Sequence, residues 1–213
     1  MTKTNQQKVK DFLINNGVII VMFILVIYTG FTSDNFFTKN NFMNILMNMS
    51  SRLVIALGIA GCVITAGCDL SAGRMIGFGA CISGMLLQRM DYSGKFFPDM
   101  QPLNVFVVAL IAMLVCAAFG TVTGFFIAYL NVPPFIATLA MMEIVYGIGL
   151  IVTNATPLGG YVEQYTNVSN GKFLGINYLI WIAIIVAAIT WVIFNITRHC
   201  KYRYAIGGNP QAA

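Results

Sequence analysis

Asp69, Arg74 and Glu143 are the residues whose types demand an explanation, because each stands in or beside a run of apolar side chains. The stretch GCDLSAGRMIGFG holds the first two and VPPFIATLAMMEIVYGIG the third. An ionised side chain at the centre of a bilayer costs about 2.5–3.5 kcal/mol on insertion scales, so each needs a partner, water or a place near the interface. The chemistry open to such groups is that of transport: a polar lining for a solute path, or a carboxylate that takes up and releases an ion. Ser71, Thr138 and Tyr146 lie close enough in the chain to join them, giving six candidates for a translocation path: Asp69, Ser71, Arg74, Thr138, Glu143 and Tyr146. Asp69 or Ser71 can accept from a free backbone N–H where a helix begins near residue 72. Arg74 in that first turn opposes the helix dipole, and an Asp69–Arg74 contact would answer both problems. Thr138 and Tyr146 are expected to share the face of Glu143.

Other chemistry finds little support. His199 is the single histidine and stands among Arg198, Lys201 and Arg203, where solvent or lipid headgroups account for it. The five cysteines form no C-x-x-C pair, and four lie inside apolar runs, as small buried hydrophobes do. No phosphate-binding G-x-x-x-x-G-K-[ST] and no zinc-binding H-E-x-x-H occurs. These absences argue against an enzyme, and no catalytic residue, metal site or cofactor is expected in the chain.

The elements that must position the six candidates follow from composition. Of 213 residues 58% are hydrophobic and only 9% charged, against about 25% charged in a soluble domain, and the mean hydropathy is +0.80. Apolar residues come in runs without helical or strand alternation, the pattern of helices surrounded by lipid or by other helices. The expectation is an all-α, polytopic transmembrane helical bundle with about six membrane segments, near 12–31, 53–68, 71–90, 103–130, 133–153 and 177–197. The lysines that precede the first apolar run give it the look of a signal peptide, but it lacks a small-residue cleavage site and is long enough to cross about 30 Å of hydrocarbon. It reads as an uncleaved span. Residues 32–52, rich in Asn, Ser, Phe and Met, read as a loop with an interfacial amphipathic helix.

The net charge of +5 does not point to nucleic acid, since basic residues cluster in the first ten positions and at 198–203. That clustering favours a cytoplasmic N-terminus, with residues 1–11 and 198–213 inside and 12–197 holding the membrane segments. Gly73 with Gly77 and Gly120 with Gly124 are four apart, a spacing that lets helices approach closely within the chain. In NVPP, Asn131 can cap a helix whose first turn tolerates proline. At the end of the chain two glycines break the preceding segment, and Asn209 with Pro210 signals a new helix start.

DLSAGR at 69–74, IAYLNVPPFIATLAMMEIVYG at 127–147 and YAIGGNPQAA at 204–213 together resemble the permease subunits of ABC importers, in the sugar-specific branch of ribose and galactose permeases. The similarity runs over nearly the whole chain. It implies a single permease domain in the bacterial inner membrane, moving a monosaccharide such as galactose or a methyl galactoside. It also implies a second permease copy, a periplasmic sugar-binding protein, and a separate ABC ATP-binding subunit that holds ATP and Mg. Gly207, Gly208, Asn209, Ala212 and Ala213 would then belong to the cytoplasmic helix that docks on the ATPase. The resemblance departs at Glu143, where a small or apolar residue is expected. It also implies a chain cut short at its C-terminus, and residues 1–213 alone are expected to be unstable or inactive. An ion-coupled secondary transporter using Glu143 or Asp69 is the alternative.

Overall fold

The computed structural model describes residues 13, 14 and 16–208, with the side chain of His199 excepted. Contacts divide the chain into two units, Met1–Asn48 and Met49–Ala213. The described residues hold eight helices and one two-stranded hairpin. Four helices are long and apolar enough to cross a membrane: Lys39–Ile64, Val105–Tyr129, Pro134–Thr153 and Tyr178–Ile196. Two shorter apolar helices, Gly17–Thr32 and Ala72–Leu86, accompany them. The fold is therefore a helical bundle of membrane type, and among the described residues four helices have the length that a crossing requires.

Helix α1 (Gly17–Thr32) buries none of its residues; Val18 and Phe31 are 86% and 88% exposed, an arrangement that apolar side chains tolerate only in a non-aqueous surrounding. In the turn that follows, the Thr38 hydroxyl donates to Asn35 O at 2.7 Å and accepts from Asn41 N at 3.3 Å. This satisfies one of the free N–H groups at the start of α2 (Lys39–Ile64). The helix runs unbroken for 26 residues, about 39 Å at 1.5 Å per residue, so the expected loop, interfacial helix and separate span at 53–68 are replaced by one element. Asn48 is accommodated by bonding back along the helix, its Nδ2 donating to Asn44 O at 2.9 Å.

Helix α2 ends in a tight turn. Gly67 N donates to Cys62 O at 2.9 Å, and Ala66 takes a left-handed φ of 56°, unusual for a residue with a Cβ. Helix α3 (Ala72–Leu86) packs against α4 (Val105–Tyr129) and α5 (Pro134–Thr153). The core lies among these three: Phe78 and Ile82 from α3, Ala112 from α4, and Met141 and Val145 from α5. Phe78 meets Phe119 edge to face at 5.6 Å between ring centroids. Asn104 caps α4 by accepting from Phe106 N at 2.8 Å. Asn131, expected to cap α5, instead adopts a left-handed φ of 52°, and the cap position falls to Pro133; proline fixes the entry angle without a side-chain bond.

After α5 in the chain come α6 (Glu163–Asn170), the hairpin β1 (Lys172–Phe173) and β2 (Ile176–Asn177), and α7 (Tyr178–Ile196). Leu174 and Gly175 both have positive φ in the two-residue turn, as a hairpin of right-handed strands requires. Asn177 ties three parts together: its side chain donates to Ser169 O at 2.6 Å and accepts from Leu179 N at 2.8 Å to cap α7. Residues 198–208, expected to lie inside and to be broken at the two glycines, form helix α8 (Arg198–Gly208). It lies against the end of α2. The Arg203 guanidinium fills the space beside Gly61, and Gly207 abuts the carbonyl of Ile64 so closely that no side chain fits.

Candidate functional site

The six candidate residues separate into two groups. Asp69, Ser71 and Thr138 gather around the break between α2 and α3. Asp69 Oδ1 accepts from Ser71 N at 2.9 Å and from Ser71 Oγ at 2.7 Å, an Asx turn that holds non-helical backbone in place with its own side chain. Ser71 occupies the cap position of α3 but makes no side-chain cap bond, its backbone being helical (φ −75°, ψ −22°) rather than extended as a capping residue requires. The Thr138 hydroxyl donates to Pro134 O at 2.8 Å and reaches Cys68 O at 3.4 Å. Ser71 and Thr138 are both buried. Non-helical backbone at membrane depth persists only where protein or a water-filled cavity surrounds it, and a cavity of about 360 Å³ opens here. Thr65, Asp69, Ser71, Thr123 and Thr138 give it polar walls, and Gly120 and Gly124 a smooth one.

Arg74, Glu143 and Tyr146 form the second group. The guanidinium of Arg74 lies over the Tyr146 ring, 3.9 Å from its centroid. A cation on an aromatic face gains about 0.5–1 kcal/mol at an exposed site. The expected Asp69–Arg74 contact is absent: among the described residues the ion pair observed joins Arg89 and Asp91, because Asp69 turns toward Ser71 while Arg74 turns toward α5. Thr138 does not share the face of Glu143. It is buried with Met141 and Val145, whereas Glu143 and Tyr146 are exposed, as a shift of five residues, about 140° around a helix, requires.

The expected close approach at paired glycines also fails within this chain. A Cβ added at Gly73, Gly77, Gly120 or Gly124 would meet nothing within 4 Å. Of the five coupling candidates, Gly207 and Gly208 end α8; Asn209, Ala212 and Ala213 lie outside the described residues. No group of three or more His, Cys, Asp or Glu side chains that could hold a metal is found among the described residues.

One organising residue gave no sequence signal. Gln88, just past α3, is 1% exposed; its Nε2 donates to Gly159 O at 3.0 Å and its Oε1 accepts from Phe96 N at 2.7 Å. Backbone bonds from Arg89 N to Gly160 O (2.7 Å), Val162 N to Leu87 O (2.9 Å) and Leu103 N to Leu86 O (3.4 Å) complete a knot joining two loops to the end of α3. Tyr161 belongs to this knot, its hydroxyl donating to Leu158 O at 2.8 Å. Burial, and then the neighbouring Tyr165, Cys81 and Tyr92, push its phenol above the ordinary range. No motif marks such a residue, because a lone glutamine between apolar and charged neighbours has no periodic partner.

Apolar helices exposed on most sides and a polar break with a cavity fit a protein embedded in a membrane. The family model described as branched-chain amino acid transport system, permease component, matches residues 41–213, and the chain belongs to that family of transport permeases. It is 39% identical, over its whole length, to the galactose/methyl galactoside import permease protein MglC of Escherichia coli (strain K12), of which it spans 66%. The corresponding protein of Haemophilus influenzae is 40% identical with the same coverage. The ribose import permease protein RbsC of Escherichia coli (strain K12) is 31% identical over 95% of this chain and 61% of its own length. No solved structure matches the chain.

Proposed function

We propose that this chain is the permease subunit, or the N-terminal part of one, of an ABC importer that carries galactose, a methyl galactoside or a related monosaccharide across the bacterial inner membrane. The observation that carries the reading is the 39% identity to a galactose/methyl galactoside permease along the entire chain. In this reading six apolar helices cross or enter the membrane, the four long ones with Gly17–Thr32 and Ala72–Leu86, and the N-terminus is cytoplasmic. A separate ABC ATP-binding subunit binds ATP and Mg, a periplasmic sugar-binding protein delivers the solute, and two permease copies work together. Gly207, Gly208, Asn209, Ala212 and Ala213 form the part that receives the ATPase. Asp69, Ser71 and Thr138 line the inner part of the path, where the cavity supplies polar contacts beside a backbone break.

The test is uptake of labelled galactose, ribose and leucine into vesicles that hold the ATP-binding subunit, the sugar-binding protein and this chain. A parallel sample extends the chain by the part of the E. coli relative that it does not cover. ATP-dependent galactose uptake by either form supports the reading, and leucine uptake in its place overturns the choice of substrate. The ion-coupled alternative rests on Glu143, a carboxylate that makes no hydrogen bond or ion pair among the described residues. Galactose uptake without ATP that is abolished by Glu143→Gln would establish that alternative.

A further inference from the structure

We propose that Arg74, Tyr146 and Glu143 form a wall that reads the hydroxyl groups of a neutral sugar as it passes the outer face of helices α3 and α5; this rests on the sugar-permease reading above. The three side chains are exposed. Glu143 and Tyr146 are three residues apart on α5 and so occupy neighbouring positions on one face, and Arg74 reaches across from α3 to the Tyr146 ring. A groove of about 180 Å³ is lined by Arg74 and Tyr146, with Gly77, Gly149 and Thr153 among its other walls, and Glu143 stands one turn before Tyr146 on α5, outside that lining. A Cβ at Gly73, Gly77 or Gly147 would meet nothing within 4 Å, so the surface near the charged groups is open.

The arrangement does not fit a face turned to lipid. The Arg74 guanidinium lies over the Tyr146 ring, and its N–H donors meet no acceptor among the described residues. Glu143 and the Tyr146 hydroxyl likewise make no hydrogen bond among the described residues. Two opposite charges and a phenol with open hydrogen-bonding capacity, on helices otherwise sheathed in apolar side chains, require water or a polar ligand against them. A pyranose meets that requirement. Its hydroxyls both donate and accept, so one edge of the ring can receive from the guanidinium and give to the carboxylate, while its C–H face lies on an aromatic ring. An anionic solute would face Glu143 and a cationic one Arg74, so the mixed pair favours a ligand without net charge.

The experiment uses the assembled importer, permease with ATP-binding subunit and sugar-binding protein, in proteoliposomes. Uptake of galactose is compared with that of its monodeoxy analogues for wild type, Arg74→Gln, Glu143→Gln and Tyr146→Ala. Each of the first two variants is expected to lower galactose uptake about tenfold, the loss of one charge-assisted hydrogen bond. For the analogue that lacks the matching hydroxyl the variant should cause no further loss, because the two changes remove the same interaction. ATP hydrolysis stimulated by the unliganded binding protein should stay at the wild-type level, which a merely structural role would not allow. Equal losses for every analogue, or none, overturn the inference. So does recovery of uptake in the double variant Arg74→Glu with Glu143→Arg, which would show the two charges pairing with each other rather than with the sugar. Leucine uptake that depends on both residues would assign the wall to a zwitterion and overturn it as well. A wild-type assembly that imports no sugar refutes the permease reading instead, before any variant is compared.

Discussion

Replacing Gln88 by leucine removes both side-chain bonds of the loop knot while keeping a side chain of similar size. Gly159 O then loses its donor and Phe96 N its acceptor, bonds of 3.0 and 2.7 Å in the native structure. Gln88 is 1% exposed, so water cannot replace either partner without opening the knot. Leaving a partly buried polar group unsatisfied costs about 1–2 kcal/mol, and two such groups give about 2–4 kcal/mol. For a chain of this size about 1 kcal/mol shifts Tm by about 2–4 °C, so Gln88→Leu should lower the Tm of the detergent-solubilised protein by about 4–16 °C. Limited proteolysis should show cleavage in residues 89–103 before any other site. A Tm within about 1 °C of wild type, with no new cleavage in that loop, would refute the claim that Gln88 holds the two loops to α3.

Two further outcomes follow from the same region. Gly160→Ala forces a side chain onto a residue with φ of +69° whose Cβ would strike the Tyr92 ring, so a loss of about 1–3 kcal/mol is expected, read as a fall in Tm larger than for Gly159→Ala. Tyr161 keeps its proton to higher pH folded than unfolded, since burial raises its phenol above the ordinary value near 10. Between those two values the unfolded state binds fewer protons, so stability is unaffected below about pH 10 and falls as pH rises beyond it. Tyr161→Phe should flatten that alkaline decline in a Tm-versus-pH series, and an unchanged slope would remove Tyr161 from the account.

The parts of the fold that sequence made legible are those governed by local rules. Apolar runs located α4, α5 and α7 to within a few residues, because an uninterrupted apolar run of about 20 residues can satisfy its own backbone groups in lipid only as a helix. The capping reading at Asp69 and Ser71 found the right residues but not the bond. An Asx turn and a cap use the same atoms, and only the backbone angles decide between them. The continuous α2 was hidden by Asn40, Asn41, Asn44 and Asn48, which look like loop residues; the side chain of Asn41 bonds to Phe36 O just ahead of the helix and that of Asn48 bonds back along it. Arg74 chose Tyr146, 72 residues away, over Asp69, five away, and no spacing rule reaches that far. The Gln88 knot lies in the same category, built from contacts between segments about 70 residues apart.

The way that knot is fastened has a consequence for how the protein can vary. Three of its ties are main-chain bonds, from Arg89 to Gly160, Val162 to Leu87 and Leu103 to Leu86, and a main-chain bond is indifferent to the side chain it carries. Anchorage thus depends on backbone path, one glutamine and the space at Gly160, while outward-pointing residues such as Arg89, Asp91 and Asp99 bear none of it. Selection can rewrite that outward lettering, and with it whatever the surface meets, without loosening the page on which it is written.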